Sequence, residues 1–348
     1  EPAAGPRTGK HRPGRGGMKK VAIVGAGAIG CLLAARLTTT PAEVTLIARA
    51  RAAEIIGIEG ITMVSPLGRV SRVPVRVTDD ALSAGPQDVV FVCVKAHALG
   101  TVLDTLSGLM GPETVVVPMI NGVPWWYPLG QPEPLGSYRL KTVDPDGTLW
   151  QAVPAERLVG SVTWVSVERE GAGRIHHVGD QRFIFGDPLG RRTADVEGVV
   201  DLFSQAGFQA RGSLDIRADI WTKLWGNLAF NPLSALTGAG MGALCVDPGT
   251  RRVARVLMEE GRAVAERLGV RFTTDIEARI ASAQSVGDFR TSMLQDMEAG
   301  RRLEVEAIVG AVAELGALVG VPTPTVETIA ALVDMKSRQR GNGPRRPS

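Results

Sequence analysis

A short apolar run that passes directly into a glycine-rich turn is the feature that most constrains the fold of this chain. The run is Val21–Val24, and the turn is Gly25–Gly30, which reads Gly-Ala-Gly-Ala-Ile-Gly. A helical pattern continues to Leu37, and Val44–Ile47 has the composition of a second strand. Strand, glycine turn, helix and strand make one βαβ unit, so the sequence predicts a parallel sheet near the amino terminus.

The spacing of the three glycines in this turn indicates dinucleotide binding. Gly25 permits a tight turn, Gly27 lets the backbone approach a pyrophosphate, and Gly30 lets the helix pack closely on the strand. The N–H groups and the dipole of the helix then face the phosphates. A glycine turn without a ligand is the alternative. We predict a Rossmann-type domain whose cofactor contacts are the turn residues Gly25, Ala26, Gly27, Ala28, Ile29 and Gly30.

The end of the second strand distinguishes between the two nicotinamide dinucleotides. NAD-binding proteins place Asp or Glu there to hold the ribose 2′-hydroxyl. Here the chain reads Leu-Ile-Ala-Arg-Ala-Arg from 46 to 51, without a carboxylate. Because a guanidinium matches a phosphate in charge and geometry, we predict NADP(H), with Arg49 as the main 2′-phosphate ligand and Arg51 as support. Two solvated loop arginines are the alternative.

The patterns along the 348 residues predict two domains between two basic tails. Further apolar runs at Val89–Val94 and Val115–Val117 suit a parallel sheet covered on both faces. Residues 124–150 are rich in Pro and Gly and contain Trp125-Trp126-Tyr127, so we interpret them as an extended insertion whose aromatics line or cover the cleft or pack at the surface. From about Asp195 the pattern is helical.

The predicted fold class is α/β, with an amino-terminal Rossmann-type domain, a carboxy-terminal all-helical domain and a cleft between them. The predicted parts are a disordered basic tail (1–17), an NADP-binding domain (18–192), a helical substrate and catalytic domain (193–335) and a basic tail (336–348).

Composition and charge exclude several classes of function. The formal net charge is +3, but the basic excess lies in the two tails and leaves a mildly acidic body. A nucleic-acid-binding body would instead carry its basic residues on a folded face. No apolar run reaches the length of a membrane span, so we expect no membrane partner. Three Cys and four His without paired metal-ligand spacings give no support for a zinc site or a disulfide scaffold, and they favour a cytoplasmic location.

A polar stripe marks the most apolar helix of the second domain. Lys223, Asn227 and Asn231 recur every four residues among Trp, Leu and Phe, so they lie on one helix face. An unpaired amide or ammonium in an apolar interior is costly, so the stripe implies a polar partner, and a bound substrate is the natural one. Burial would also lower the pKa of Lys223. A solvent-exposed face is the alternative.

The chain resembles the ketopantoate reductase (2-dehydropantoate 2-reductase) family, whose members reduce a 2-oxo acid with NADPH in pantothenate synthesis. The matching segments occur in the family's order and span nearly the whole chain between the tails. They are GAGAIG (25–30), VKAHAL (94–99), NGV (121–123), KLWGNLAFNPLSAL (223–236), TSMLQD (291–296) and LEVEAI (303–308).

The resemblance implies roles for individual residues and a hydride transfer to the C2 carbonyl of the small 2-oxo acid 2-dehydropantoate, which gives (R)-pantoate. Lys223 would donate the proton and contact the substrate. Glu304 would lie near the nicotinamide ribose and the substrate hydroxyl. The further implied contacts are Asn227, Asn231 and Ser292 to the substrate, Asn121 to both substrate and nicotinamide, and Lys95 and Ser166 to the cofactor.

Two departures leave the identity of the 2-oxo acid open. Met241 stands where the family often has a substrate-contacting Asn, and the insertion after Asn121 is longer than is typical. A related reductase of another 2-oxo acid or related carbonyl in a specialised pathway is therefore the second hypothesis. A non-catalytic NADP-binding protein is the third. The apolar faces of the last helices, with Ile308, Val312 and Leu315, would pack within the domain or form a homodimer.

Overall fold

The computed structural model describes residues 18–341. The predicted amino-terminal tail (1–17) and the end of the carboxy-terminal tail lie outside the described residues. The strands are β1 Lys20–Val24, β2 Glu43–Ile47, β3 Ile61–Val64, β4 Val70–Val73, β5 Arg76–Thr78, β6 Gln87–Val92, β7 Met110–Pro118, β8 Gly160–Gly171, β9 Arg174–Gly186 and β10 Gln209–Ser213. The helices up to the centre of the second domain are α1 Ala28–Leu37, α2 Ala50–Glu59, α3 Ala81–Ala84, α4 Leu103–Leu109, α5 Thr148–Ala152, α6 Ala194–Gln205 and α7 Ile216–Thr237. The remaining helices are α8 Met241–Val246, α9 Pro248–Arg267, α10 Ile276–Ser285, α11 Ser292–Glu298, α12 Ala311–Val319 and α13 Pro324–Gln339.

The first sheet is parallel and has the strand order β5-β2-β1-β6-β7. Its central strands are buried on both faces, which explains their uninterrupted apolar sequence. The chain order reverses between β1 and β6, and ligands of open α/β sheets bind at such a switch point, beyond the carboxyl ends of the strands. The predicted α/β class, with a helical second part, is confirmed.

A second sheet, which the sequence analysis did not separate from the first, has the order β10-β9-β3-β4, with β8 paired to β9. Its helix α6 packs on it, and the α6 residues Val199 and Phe203 belong to the same apolar core as β1. Helix α6 and strand β10, which the sequence analysis placed after the boundary at 193, thus pack with the amino-terminal half, and the boundary itself stays a prediction. The helical part begins at α7, whose first turn is capped by the side chain of Asp215.

Helix α7 is the centre of the second domain. It packs against α8, α9, α11, α13 and β8, and its large residues Trp221, Trp225 and Phe230 are almost completely buried. Ile308, Val312 and Leu315, which the sequence offered for a dimer, are buried within the same core. These three residues therefore pack inside the chain and are not available as a dimer surface.

The segment 124–150 contributes buried residues to the core and makes hydrogen bonds with α7. Trp125 and Trp126 are 2% exposed and Tyr127 is 0% exposed. The indole N–H of Trp221 donates to the Tyr127 hydroxyl at 2.7 Å. Arg217, in the first turn of α7, donates to the carbonyl of Tyr127 at 2.9 Å and also to that of Leu129. The expectation that these aromatics pack at the surface is thus wrong, because they are buried between the sheet and α7.

The carboxy-terminal helix extends beyond the predicted boundary of the basic tail. Helix α13 runs to Gln339, and the ammonium of Lys336 donates to the carbonyls of Ala235 and Leu236 at the end of α7. A lysine is favourable there because the last carbonyls of a helix lack partners and carry negative partial charge. Lys336 therefore packs with the helical domain, and the start of the basic tail stays a prediction.

Candidate active site

The glycine turn has the conformation that the three glycines require. Gly25 has a φ of +109°, and a Cβ there would lie 2.9 Å from the Val94 side chain and 3.1 Å from the Cys93 carbonyl oxygen. At Gly30 a Cβ would lie 1.8 Å from the carbonyl oxygen of Gly25. These two glycines are therefore needed by the fold itself, the first by its left-handed backbone and the second by close packing.

Gly27 differs from its two neighbours because nothing in the protein crowds it. Its φ is −79°, and a Cβ there would meet only the Cys93 carbonyl oxygen, at 3.8 Å. Gly27 is the N-cap of α1, no side chain caps this end, and the first turn of α1 contains no acidic residue. Free N–H groups beside an open backbone fit a pyrophosphate, so the residues present suit the dinucleotide that the sequence predicts. The turn residues Ala26, Ala28 and Ile29 are partly exposed beside it.

Arg49 lies next to this turn. The N–H of Gly25 donates to the Ile47 carbonyl at 2.9 Å, so the end of β2 and the glycine turn are adjacent. Arg49 and Arg51 are exposed at the start of α2, whose first turn has no acidic residue. The guanidinium of Arg49 is thus available to meet a phosphate at this edge, and residues 48–51 after β2 contain no carboxylate that could bind a 2′-hydroxyl.

Lys223 connects three elements at the carboxyl end of the first sheet. Its ammonium donates to Asn121 Oδ1 at 2.6 Å and to the carbonyl of Thr163 on β8. Burial lowers the pKa of Lys223 to about 8, although the carboxylates of Glu304 and Asp180 act in the opposite direction. A lysine with this pKa is protonated at neutral pH and yet releases its proton readily, which suits a general acid.

The first two residues of the polar stripe on α7, Lys223 and Asn227, face the boundary between the two domains. Lys223 and Asn227 line one cleft together with Asn121, Ser161 and Ile120. Asn231 lies one turn further on and is only 5% exposed. The structure therefore brings Lys223, Asn227 and Asn121 together, and it places Asn231 deeper in the helical domain.

Lys95, Glu304 and Asp296 form an ionic cluster across the two domains. The Lys95 ammonium contacts Asp296 Oδ2 and lies 3.4 Å from Glu304 Oε2. Glu304 Oε1 accepts from the N–H of Ala96 at 3.1 Å, and Asp296 Oδ1 accepts from Arg301 at 2.8 Å. Burial alone would lower the pKa of Lys95, but the carboxylates of Glu304 and Asp296 outweigh it and raise that pKa. Lys95 is therefore a fixed positive charge, unlike Lys223.

Asp296 is the member of this cluster that the sequence analysis missed. It is 4% exposed and lies on α11 between the buried residues Leu294 and Met297. A carboxylate within an apolar helix face is the same signal that singled out the stripe on α7, so it could have been found. The contact of Lys223 with Thr163, by contrast, uses a backbone carbonyl, so no pattern of side chains in the sequence predicts it.

Ser292 and Ser166 are not among the residues that line the Lys223 cleft. Ser292 is exposed in the first turn of α11, whose N-cap is the hydroxyl of Thr291, accepting from the N–H of Leu294 at 3.2 Å. Ser166 lies on β8, three residues beyond Thr163, and is partly exposed opposite Gly179. Their contacts with substrate and cofactor stay predictions.

Residues 18–341 offer no cluster of three or more His, Cys, Asp or Glu side chains arranged to hold a metal ion. Within the same range, every helix is too short or too polar to cross a membrane.

Comparisons with known proteins find relatives along nearly the whole described chain. The family model described as "Ketopantoate reductase PanE/ApbA" matches residues 21–190, and "Ketopantoate reductase PanE/ApbA C terminal" matches residues 215–337, which begins where α7 does. A 2-dehydropantoate 2-reductase of Mesorhizobium japonicum is 45% identical over 323 residues, which cover 92% of this chain and 99% of that protein. Another, of Archaeoglobus fulgidus, is 30% identical and covers 91% of this chain and 97% of that protein. The crystal structure of a 2-dehydropantoate 2-reductase from Geobacter metallireducens superposes with a TM-score of 0.80 at 28% identity, covering 91% of this chain and 99% of that one.

Proposed function

Because this chain belongs to the ketopantoate reductase family, we propose that it reduces 2-dehydropantoate to (R)-pantoate with NADPH, Lys223 being the proton donor. The observation that carries the proposal is the ammonium of Lys223 held between Asn121 and the Thr163 carbonyl, with its pKa lowered to about 8. The reaction serves pantothenate and coenzyme A synthesis. The cytoplasmic location and a homodimer stay predictions.

Lys223 stabilises and protonates the oxygen that becomes the hydroxyl. The reduced dinucleotide, when bound, supplies a hydride to the carbonyl carbon. Negative charge then develops on the carbonyl oxygen, and the Lys223 ammonium opposes that charge and donates the proton. Asn121 and Thr163 fix the direction of the ammonium, so little reorganisation is needed when the charge appears.

The remaining polar groups hold the substrate and the cofactor in the relative orientation that hydride transfer requires. Asn227 lies one turn beyond Lys223 on the same cleft, where its amide can bind the substrate's carboxylate or hydroxyl. Lys95 and the N–H of Ala96 orient Glu304. Its carboxylate would accept a hydrogen bond from a hydroxyl of the substrate or of the nicotinamide ribose. Ser292 and Asn231 complete the proposed substrate contacts, and Ser166 the cofactor contacts.

The direct test is NADPH oxidation by the full chain across a panel of 2-oxo acids. We expect 2-dehydropantoate to be reduced, and NADH to be a poorer donor than NADPH. If no 2-oxo acid supports NADPH oxidation while NADPH still binds, the protein is a dinucleotide-binding protein without this activity, and the proposal is wrong.

The rate should decline at alkaline pH. The ammonium form of Lys223 is the active one, and its pKa is lowered to about 8, so the active fraction falls as the pH rises through that value. Each further pH unit then lowers kcat about tenfold. A profile of kcat from pH 6 to 10, with cofactor stability controlled in parallel, measures this. A kcat that stays constant across that range would assign proton donation to another group.

Replacing Arg49 by alanine should shift the cofactor preference. Charge-assisted hydrogen bonds contribute about 1.5–3 kcal/mol, so we expect the KM for NADPH to rise at least tenfold. The KM for NADH should change little, since that cofactor has no 2′-phosphate. Arg69→Ala, on an exposed turn between β3 and β4, is the matched control. An equal change in both cofactors would show that Arg49 does not bind the 2′-phosphate.

A further inference from the structure

The loop after β7 and the segment after Glu304 touch backbone to backbone across the domain boundary. Gly122 has a φ of +85°, and a Cβ there would lie 2.3 Å from the carbonyl oxygen of Ala307. The next N–H along the loop, that of Val123, donates to the same oxygen at 2.8 Å. Only a glycine allows this approach, since any other residue would be strained at this φ and would place its Cβ against the oxygen.

The helical domain offers the Ala307 carbonyl through a local irregularity. Glu306–Gly310 is a π-helical turn, in which the N–H of Ala311 donates to the carbonyl of Glu306. In an α-helix that N–H would donate to Ala307, one residue later. The Ala307 carbonyl is thereby released from this bond and accepts from Val123 instead.

The two sides of this contact carry polar groups of the proposed site. Asn121, directly before Gly122, accepts from the Lys223 ammonium at 2.6 Å, and all three residues line one cleft. Glu304 precedes Ala307 by three residues, and its carboxylate acts on Lys223. A displacement at Gly122 therefore moves the amide that holds the ammonium.

We propose that Gly122 is a positioning residue of the reaction: its contact with Ala307 sets the place of the Asn121 amide, which directs the Lys223 ammonium at the substrate carbonyl. The inference rests on the proposed function, because it takes Lys223 as the proton donor. Gly122 offers no side chain to the reactants, so it acts through Asn121.

The contact distance sets the size of the expected effect. Ordinary contacts of a Cβ begin at 3.4 Å, whereas at Gly122 the distance would be 2.3 Å, so in Gly122→Ala the loop and the π turn must separate by about 1 Å. A misplacement of this size lowers a rate by about a hundredfold, which is the loss of kcat that we expect. NADPH affinity should change far less, because the glycine turn follows β1 and not β7.

The pH profile separates positioning from a loss of stability. The Asn121 carbonyl stabilises the ammonium form of Lys223, and the carboxylates of Glu304 and Asp180 also raise the pKa of Lys223. Moving Asn121 and Glu304 away lowers that pKa. The alkaline decline of kcat should therefore begin at a lower pH than in the wild type, whereas a protein that is merely less stable would not show this shift.

The experiment measures kcat with 2-dehydropantoate and NADPH from pH 6 to 10, NADPH affinity and thermal denaturation for the full-length wild type, Gly122→Ala and Gly68→Ala. Gly68, between β3 and β4, has a similar φ of +74°, and a Cβ there meets none of the described residues within 4 Å. Gly68→Ala therefore carries the backbone strain without the clash, and it should keep the wild-type kcat and pH profile.

A second variant moves the π turn from its other end and replaces Gly122→Ala if that protein does not fold. Gly310 has a φ of −60°, which alanine adopts freely, and its Cβ would lie 2.9 Å from Thr142 Cγ2. Gly310→Ala should therefore displace the Ala307 carbonyl and change kcat and the pH profile in the same direction.

A double-mutant cycle with Asn121→Ala tests the route of the effect. If Gly122 acts through Asn121, the combined variant loses much less kcat than the product of the two single losses. Losses that multiply would show that Gly122 acts by another route and would overturn the proposal.

The other opposing outcomes separate this inference from the proposed function. In the variant that folds, a wild-type kcat or an alkaline decline at the wild-type pH overturns the positioning role alone. An equal loss of kcat in Gly68→Ala also overturns it, because backbone strain would then suffice. Absence of 2-oxo acid reduction in the wild type overturns the proposed function itself, and this role with it.

Discussion

Lys223→Ala is expected to lower kcat for 2-oxo acid reduction by about 10²–10⁴-fold, the usual contribution of a positioned general acid. The variant removes both the proton donor and the charge that faces the developing oxyanion. NADPH affinity should change little, because the lysine contacts Asn121 and Thr163 and not the glycine turn. Steady-state kinetics and an NADPH fluorescence titration measure the two quantities separately.

Two further variants show whether the loss of kcat in Lys223→Ala comes from the missing proton donor. Lys223→Arg keeps the positive charge, but a guanidinium does not release a proton in this pH range, so we expect it to stay impaired. Lys141→Ala removes an exposed lysine whose backbone N–H, and not its side chain, makes the contact with Glu314, and it should keep full activity. NADPH oxidation at the wild-type rate in Lys223→Ala would refute the assignment of the proton donor.

The dinucleotide turn and the helical stripe were predictable because local patterns encode them. A glycine turn between an apolar strand and a helix has few other structural solutions. Lys223 and Asn227 share a face because of helix periodicity alone. The burial that lowers the pKa of Lys223 also followed from its apolar neighbours Leu224 and Trp225.

The features that sequence reasoning missed depend on contacts between distant segments. The proline-rich composition of 124–150 predicted an extended insertion at the cleft or at the surface, yet Trp126 is buried beside α7, and a Cβ on Gly160 would lie 2.7 Å from its indole. The second sheet forms because β9 pairs in parallel with β3 and β10, strands far apart in the chain. Asp296 meets Lys95 across 201 positions. No short-range pattern specifies such pairings.

The largest expected effect on cofactor binding comes from Gly27→Ala. A methyl group there meets no protein atom closer than 3.8 Å and the backbone is not left-handed, so the free energy of unfolding should change by less than about 0.5 kcal/mol. The methyl group would instead occupy the space through which a pyrophosphate approaches the backbone. We expect the affinity for NADPH to fall about a hundredfold, or about 2.7 kcal/mol.

Gly30→Ala is the comparison variant, because it is expected to lower stability as well as NADPH affinity, whereas Gly27→Ala is expected to lower NADPH affinity alone. Its Cβ would lie 1.8 Å from the Gly25 carbonyl oxygen, so it must displace the turn and lower stability together with NADPH affinity. Chemical unfolding and NADPH titration of both variants therefore separate a glycine that the fold requires from one that only a ligand requires. Because the protein leaves Gly27 uncrowded, wild-type NADPH affinity in Gly27→Ala would mean that the pyrophosphate does not lie on this turn, and the placement of the hydride donor opposite Lys223 would fail with it.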